Sequence, residues 1–496
     1  RLADIKAAMS DAQRSATVQL AADLSARQAQ VDDDSILPKV ELSDVPATLP
    51  EPTFTKTELH GMPFTTYGQG TNGIVYQQGT APLPALSEEQ LQILPLYTNI
   101  LTDVGLGDQS YMDVQERQAA TVGSIAGFVS MRGHADDEQR VSANFTLSSK
   151  ALLRNARDQA QLMSDTLHRV KFSETSRIRD LVNQQRARRD QSITGSGHSL
   201  AMAAASAGMS PLASMHHHQS GLAGIRQLRI LDDSLADDTR LEAFALEVKK
   251  LHETLISTPM QFLVIAEDHK VTDVARDIST LWSQVSTGED RPRFQMTPIR
   301  EQRGEIWLTN TQVNFCARAY PTVTEQHPDA AALTVLGGFL RNGFLHRAIR
   351  EQGGAYGGGA SHDSGIAAFR FYSYRDPRLV ETLQDFDASV SWLLDTPHDG
   401  RSLEEAILGV IGSMDKPGSP AGEAKQHFHN RLFGRNHETR ERFRENILGV
   451  SLDDLRRVTE TYLRPDLAST AIVTNSGQLE ATASLREELN LTVQEL

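Results

Sequence analysis

Two stretches of this chain run through one and the same order of elements, offset by roughly 210–240 positions, loosely enough to leave room for loop insertions. In the first, a strand at Gly73–Gln77 precedes a helix opened by the capping box Ser87-Glu88-Glu89-Gln90. Leu91, Leu94, Thr98 and Leu101 keep helical spacing there, and Gly105 is placed to end the helix. A short helix from Ser110 to about Arg117, a strand over Ser124–Met131 and a long amphipathic helix from about Ser149 to Val170 follow. Later helices lead to a closing strand at Gln261–Ala266.

The second stretch opens on a strand at Val313–Tyr320. A helix follows in which Leu333, Leu336, Leu340 and Phe344 share a face, then a short helix, Leu345–Glu351, that ends at Gly353. After a strand at Ile366–Tyr374, Asp376-Pro377 suit the N-cap and first turn of a helix that aligns Leu379, Leu383, Phe386, Val390 and Leu393. Ser402-Leu403-Glu404-Glu405 caps the next helix, and Ser469–Thr474 is the closing strand.

At 496 residues the chain exceeds the roughly 250–300 at which a single core stops growing. Each copy supplies a few strands with one apolar face and helices to cover it, which predicts an α+β fold of two tandem two-layer domains. The boundary belongs in Thr287–Arg303, rich in Gly, Pro and charge, so the domains are 53–286 and 287–496. Residues 1–52 read as part of a helical hairpin and a linker. Leu2, Ile5 and Met9 form one stripe, Ser10-Asp11-Ala12-Gln13 starts a second helix through about Gln28, and four prolines punctuate Leu37–Pro52. The chain opens at Arg1, inside a helical pattern, and is expected to be a piece of something longer.

Composition removes several function classes. A formal charge of −15 argues against nucleic acid, which demands clustered Lys and Arg, and leaves basic peptides as attractive partners. The apolar fraction of 39% is that of a soluble globular protein, with no apolar run of the ~18 residues that would cross a membrane and no secretory leader. The single cysteine, Cys316, excludes an internal disulfide and reads as a structural strand residue.

The chemistry is concentrated in Leu345-His346-Arg347-Ala348-Ile349-Arg350-Glu351-Gln352-Gly353-Gly354-Ala355-Tyr356-Gly357-Gly358-Gly359. The glycines are not followed by the Lys-Ser/Thr of a P-loop, and they follow a helix rather than opening one, so a phosphate-binding reading fails. Glycines around one tyrosine let a peptide backbone come close. Arg350 and Tyr356 then offer a guanidinium and a phenol to a carbonyl oxygen on which charge builds during hydrolysis. By spacing alone, a Gly-rich hairpin with a packed tyrosine and a surface arginine is the better reading.

Those residues resemble the Arg/Tyr motif in the C-terminal half of pitrilysin-type metallopeptidases (family M16, subfamily C). Ala319-Tyr320-Pro321-Thr322-Val323, His327-Pro328-Asp329 and Ser373-Tyr374-Arg375-Asp376-Pro377 are similar to its presequence-protease branch, as are Thr71-Asn72-Gly73-Ile74-Val75-Tyr76 and Leu94-Pro95-Leu96-Tyr97. The resemblance covers essentially the whole chain. It implies pitrilysin-type (LuxS/MPP-like) domains and half of a zinc metalloendopeptidase that degrades unstructured peptides in an enclosed chamber. Arg350 and Tyr356 are then the catalytic pair, with Gly354 and Gly357 beside the substrate. The zinc and its His-x-x-Glu-His motif would sit on an N-terminal half, as partner chain or continuation. The implied compartment is a bacterial cytoplasm or an organelle matrix.

The sixteen histidines contain neither His-x-x-Glu-His nor His-Glu-x-x-His, so no metal is expected in this chain. His216-His217-His218 reads as a surface loop, His252-Glu253 and His437-Glu438 lack a second histidine at the needed offset, and Ser361-His362-Asp363 are neighbours that cannot converge as a triad. All are expected to be structural or solvent-facing. The alternative from another class is a non-catalytic scaffold or assembly subunit of the same fold.

Overall fold

In a computed structural model, which describes residues 2–30, 36, 38–282, 292–480 and 482–496, the repeat becomes two six-stranded sheets. The first comprises β1 (Thr55–Leu59), β2 (Met62–Gly68), β3 (Ile74–Pro82), β4 (Ser124–Gly133), β5 (Val141–Leu152) and β6 (Gln261–Ala266), in the order β1-β2-β6-β3-β5-β4. The second comprises β7 (Gly304–Leu308), β8 (Phe315–Pro321), β9 (Gly357–Asp363), β10 (Ala368–Tyr374), β11 (Ser469–Thr474) and β12 (Thr492–Glu495), in the order β12-β7-β11-β8-β10-β9. Strands β2-β6-β3-β5-β4 and β7-β11-β8-β10-β9 match one for one. In both, the first pair is parallel and the other three are antiparallel. Only the sixth strand differs, an antiparallel hairpin partner in the first sheet and a parallel strand from far along the chain in the second.

The fold is α+β, as the sequence predicts, and the inner strands of each sheet are buried on both faces. On one face of the second sheet, Tyr320 meets Phe371 edge-on and Phe371 stacks on Phe386 from helix Val380–Asp395. On the other face, Phe315, Ala317 and Ala319 join one core with Leu200, Ala201 and Ala204 of helix Gly197–Ser206, which the first half supplies. The first sheet is treated alike. Tyr67, Leu263 and Ile265 pack against Ala421, Ala424 and Phe428 of helix Pro420–Leu432, which comes from the second half. Burying Phe428 alone is worth about 1.5–3 kcal/mol. Small residues line both helices where they meet a sheet, which permits the close approach.

Capping boxes at Ser10/Gln13 and Ser87/Gln90 form as read. Helix Glu88–Ile100 contains Pro95, which cannot donate to the Leu91 carbonyl one turn back. The Gln219 side-chain amide donates to that carbonyl instead, at 2.8 Å.

Several expectations are corrected. The long helix from Ser149 begins only at Ala156, because β5 continues through Leu152. Ser149 is no cap: its hydroxyl donates to the Ser124 carbonyl across the sheet at 2.8 Å. Asp376 is not an N-cap either. It is fully buried, accepts from the Arg378 N–H at 2.9 Å and the Thr382 hydroxyl at 2.7 Å, and its helix starts at Val380. The cap of helix Gly400–Met414 is Asp399, which accepts from the Ser402 N–H. Leu345–Glu351 is no separate helix but part of the wider Arg341–Gln352 described below.

Residues 1–46 and 47–496 form two separate compact units. The first holds helices Leu2–Ala8 and Asp11–Ala29, neither with a buried residue. The linker read from Leu37 begins outside the described residues, and a single 3-10 turn, Leu42–Asp44, follows. The boundary placed at 287 also falls outside them; residues 292–303 form no strand or helix beyond one bridge between Pro84 and Arg293.

The sheet-to-helix contact is tight enough to test. A Cβ on Gly197 would lie 2.5 Å from the ring of Phe315, which is wholly buried and has nowhere to move. Gly197→Ala is expected to cost about 1–3 kcal/mol in urea unfolding, whereas Gly195→Ala, whose Cβ meets nothing within 4 Å, should be near neutral.

Candidate functional site

Helix Ala330–Leu340 runs straight into a π-helical stretch, Arg341–Gln352. Wide turns of this kind are rare and concentrate at functional sites. Its apolar side, Leu345, Ala348 and Ile349, is buried, while Arg350 in the last turn faces solvent. The stretch ends under Arg378, whose guanidinium donates to the Ala348 carbonyl at 3.3 Å and is held by Asp385 at 2.7 Å. Gly353 is glycine because a Cβ there would lie 1.9 Å from that guanidinium. Gly354 follows with φ +79°, the left-handed conformation that glycine adopts freely. The reversal delivers Tyr356 to the start of β9, its N–H donating to the Tyr374 carbonyl at 3.0 Å.

Arg350 and Tyr356 are therefore brought together. The guanidinium carbon of Arg350 lies 5.9 Å from the centre of the Tyr356 ring, which is 63% exposed. Two further residues complete the cluster. The Tyr374 ring stands edge-on to Tyr356 at 5.2 Å, and the Arg375 guanidinium lies 5.9 Å from the same ring and 5.4 Å from that of Tyr374. Arg375 reaches this place from a backbone at φ +49°, strained for a non-glycine residue. Tyr374 is steadied from behind by His198 of helix Gly197–Ser206, ring centres 4.6 Å apart. The outcome is two guanidinium groups and two phenols, all potential donors to a carbonyl or carboxylate oxygen.

The glycines divide by role. At Gly357 a Cβ would meet nothing within 4 Å, so the first position of β9 is open. At Gly358 it would strike Ile349 at 2.8 Å, and at Gly359 it would press on Arg341 at 3.0 Å and the Tyr372 hydroxyl at 3.2 Å. The close approach at those two positions is already taken by the chain's own helix. β9 is the edge strand of its sheet.

The other candidates are drawn into packing. His216-His217-His218 lies in helix Pro211–Gln219 rather than a loop: His217 is buried against Trp307 while His216 and His218 face outward. His252 bridges the Tyr97 hydroxyl at 3.0 Å and the Leu167 carbonyl at 2.9 Å. His362 sits between the hydroxyls of Thr322 and Thr334, and Asp363 pairs with Arg370 at 3.0 Å. His437 opens a helix and meets Glu441 at 3.2 Å. Among the described residues no three His, Cys, Asp or Glu side chains gather closely enough to hold a metal ion, so the donors present do not fit a zinc ion. Cys316 is buried on β8, and burial pushes its thiol away from the reactive thiolate. No helix among the described residues is long and apolar enough to cross a membrane.

Solved structures share this architecture. A conserved protein from Enterococcus faecalis superposes with a TM-score of 0.65 at 14% identity, over 85% of this chain and 99% of its own. A peptidase M16 inactive domain from Pseudomonas fluorescens gives 0.57 at 13% identity, over 86% and 98%. The fold is thus that of an M16-type half. Residues 1–231 match the family model of the region associated with peptidase M16, subfamily C, and residues 304–470 match the "PreP C-terminal domain". The chain belongs to subfamily C of the M16 peptidases, in which it corresponds to the C-terminal portion of the presequence proteases. The mitochondrial presequence protease of Yarrowia lipolytica is 28% identical over 93% of this chain and 46% of its own length; that of Danio rerio is 28% identical over 89% and 45%. The chain spans a little under half the length of these curated relatives.

The buried histidines set an acid limit on the fold. Burial lowers the pKa of His217 to about 3 and of His252 to about 4, from an ordinary 6.5. As pH falls the unfolded chain takes up these protons first, so their contribution is whole above about pH 6.5 and is lost as pH drops toward 4, each by up to about 1.4 kcal/mol per pH unit. Urea midpoints should fall over that range, and His252→Gln should flatten the fall. An equal slope in the variant would mean that His252 titrates alike in both states.

Proposed function

We propose that this chain is the substrate-gripping half of a zinc metalloendopeptidase that degrades unstructured peptides, and that Arg350 and Tyr356 polarise the scissile carbonyl. One observation carries the reading: the exposed guanidinium and phenol lie side by side at the open start of an edge strand. An extended peptide aligned along β9 can borrow its unpaired backbone groups. Gly357 leaves room for that backbone, and Gly354 makes the turn that aims Tyr356. Two donors at the carbonyl oxygen favour the state in which charge has built up there over the resting peptide. Arg375 adds positive potential without any change of the pair's geometry.

The zinc belongs to an N-terminal half, either continuous with this chain or separate, and no step assigned to these residues passes through it. The division into domains at 53–286 and 287–496 goes with this reading, since each would hold one sheet. The presequence proteases named above are mitochondrial, which supports an organelle matrix or its bacterial equivalent as the compartment.

The isolated chain is expected to leave unstructured peptides intact, and co-assembly with a zinc-bearing N-terminal half should restore cleavage that EDTA abolishes. In that assembly Arg350→Ala or Tyr356→Phe should lower turnover by about ten- to a thousandfold, the range for loss of an oxyanion donor. Their melting temperatures should stay at the parent value, because both side chains are exposed. Full turnover in both variants would reduce the pair to surface residues, and peptide cleavage by the metal-free chain would overturn the division of labour.

A further inference from the structure

Away from the Arg350 cluster, five helices of the first half line a cleft of about 400 Å³: Glu88–Ile100, Thr175–Gly195, Pro211–Gln219, Leu222–Ser234 and Asp238–Ile256. That volume is in the range of small-ligand sites. Its wall is apolar along Ile93, Leu96, Leu228, Ile230 and Leu231, and Ile230 is left 57% exposed at the opening.

Into the same cleft comes Arg189, half-buried and without a counter-charge. Every acidic group near it on these helices is engaged elsewhere. Asp190 pairs with Arg229 at 2.9 Å, Asp232 and Asp233 with Arg186 at 2.8 and 2.5 Å, and Glu247 with Arg240 at 3.0 Å. Glu89, the remaining lining carboxylate, is fully exposed at the first turn of its helix, where water and the helix dipole already satisfy it. No described residue gives the Arg189 guanidinium a hydrogen bond or an ion pair, and burial alone acts on it. A cation drawn partly out of water beside hydrocarbon, with no anion supplied by the fold, is an unfavourable arrangement that an anion from outside would relieve.

We propose that this cleft binds an amphipathic carboxylate, its acyl chain on Leu96, Leu228 and Leu231 and its head group on the Arg189 guanidinium. The site lies on different elements from Arg350 and Tyr356 and does not depend on the peptidase reading.

The probe is dodecanoate, titrated into this chain by calorimetry, with dodecanol as the uncharged chain of equal length and dodecyltrimethylammonium as the cationic one. Saturable binding is expected for dodecanoate and not for the cation. Arg189→Gln should weaken dodecanoate about ten- to a hundredfold, as for loss of a charge-assisted hydrogen bond, and should leave dodecanol unchanged. Arg189→Lys should retain binding within a few-fold. Arg188→Gln, an exposed neighbour outside the cleft, is the control. Each variant's melting curve reports whether it folds, and Leu228→Asp, which should abolish binding of both chains, tests the wall independently. Absence of saturable dodecanoate binding, or equal weakening by Arg189→Gln and Arg188→Gln, would overturn the proposal.

Discussion

Each sheet depends on a helix lent by the opposite half of the chain. A sheet with two apolar faces must cover both, and here the second cover crosses over: Gly197–Ser206 lies on Phe315, Ala317 and Ala319, and Pro420–Leu432 lies on Tyr67, Leu263 and Ile265. The two helices occupy equivalent places in the repeat, so the exchange is reciprocal. Neither half carries a finished core by itself. The candidate site inherits this dependence, because the Tyr374 ring that supports Tyr356 rests on His198 from the borrowed helix.

The repeat was legible because it is written in features that act locally. Capping boxes satisfy free backbone groups within one turn, so Ser87 and Gln90 announce their helix without help from the rest of the fold. The closing strands β6 and β11 are short runs of apolar and β-branched residues, legible to the residue in the sequence. What escaped was decided at a distance. Ser149 and Asp376 are residue types that cap helices, yet the Ser149 hydroxyl crosses the sheet to the Ser124 carbonyl, and the Asp376 backbone is pinned by hydrogen bonds to Asn314, far back in the chain. Strands β1, β7, β9 and β12 are short, polar or glycine-rich, and owe their conformation to a neighbouring strand rather than to their own propensity.

The same distinction runs through the site. Arg350 and Tyr356 stand six residues apart across a helix end and a glycine turn, a separation short enough for spacing to suggest proximity. Tyr374 and Arg375 reach them through strand pairing and a left-handed backbone, neither of which the residue string displays. The glycine run also carries two messages in one stretch. Gly358 and Gly359 make room for Ile349, Arg341 and Tyr372, whereas Gly357 leaves its space empty. Periodicity does not separate the two.

The sixth strands give the sheets different histories during synthesis. In the first sheet β1 is a hairpin neighbour of β2 and forms from residues made together. In the second, β12 must return from residue 492 to lie parallel to β7 at residue 305. Until the ribosome has released that later stretch, β7 is a bare sheet margin with unpaired amides, open to adventitious strand partners. A nascent chain of this design therefore has one sheet that can seal its own rim early and another whose rim waits for a strand made long afterwards.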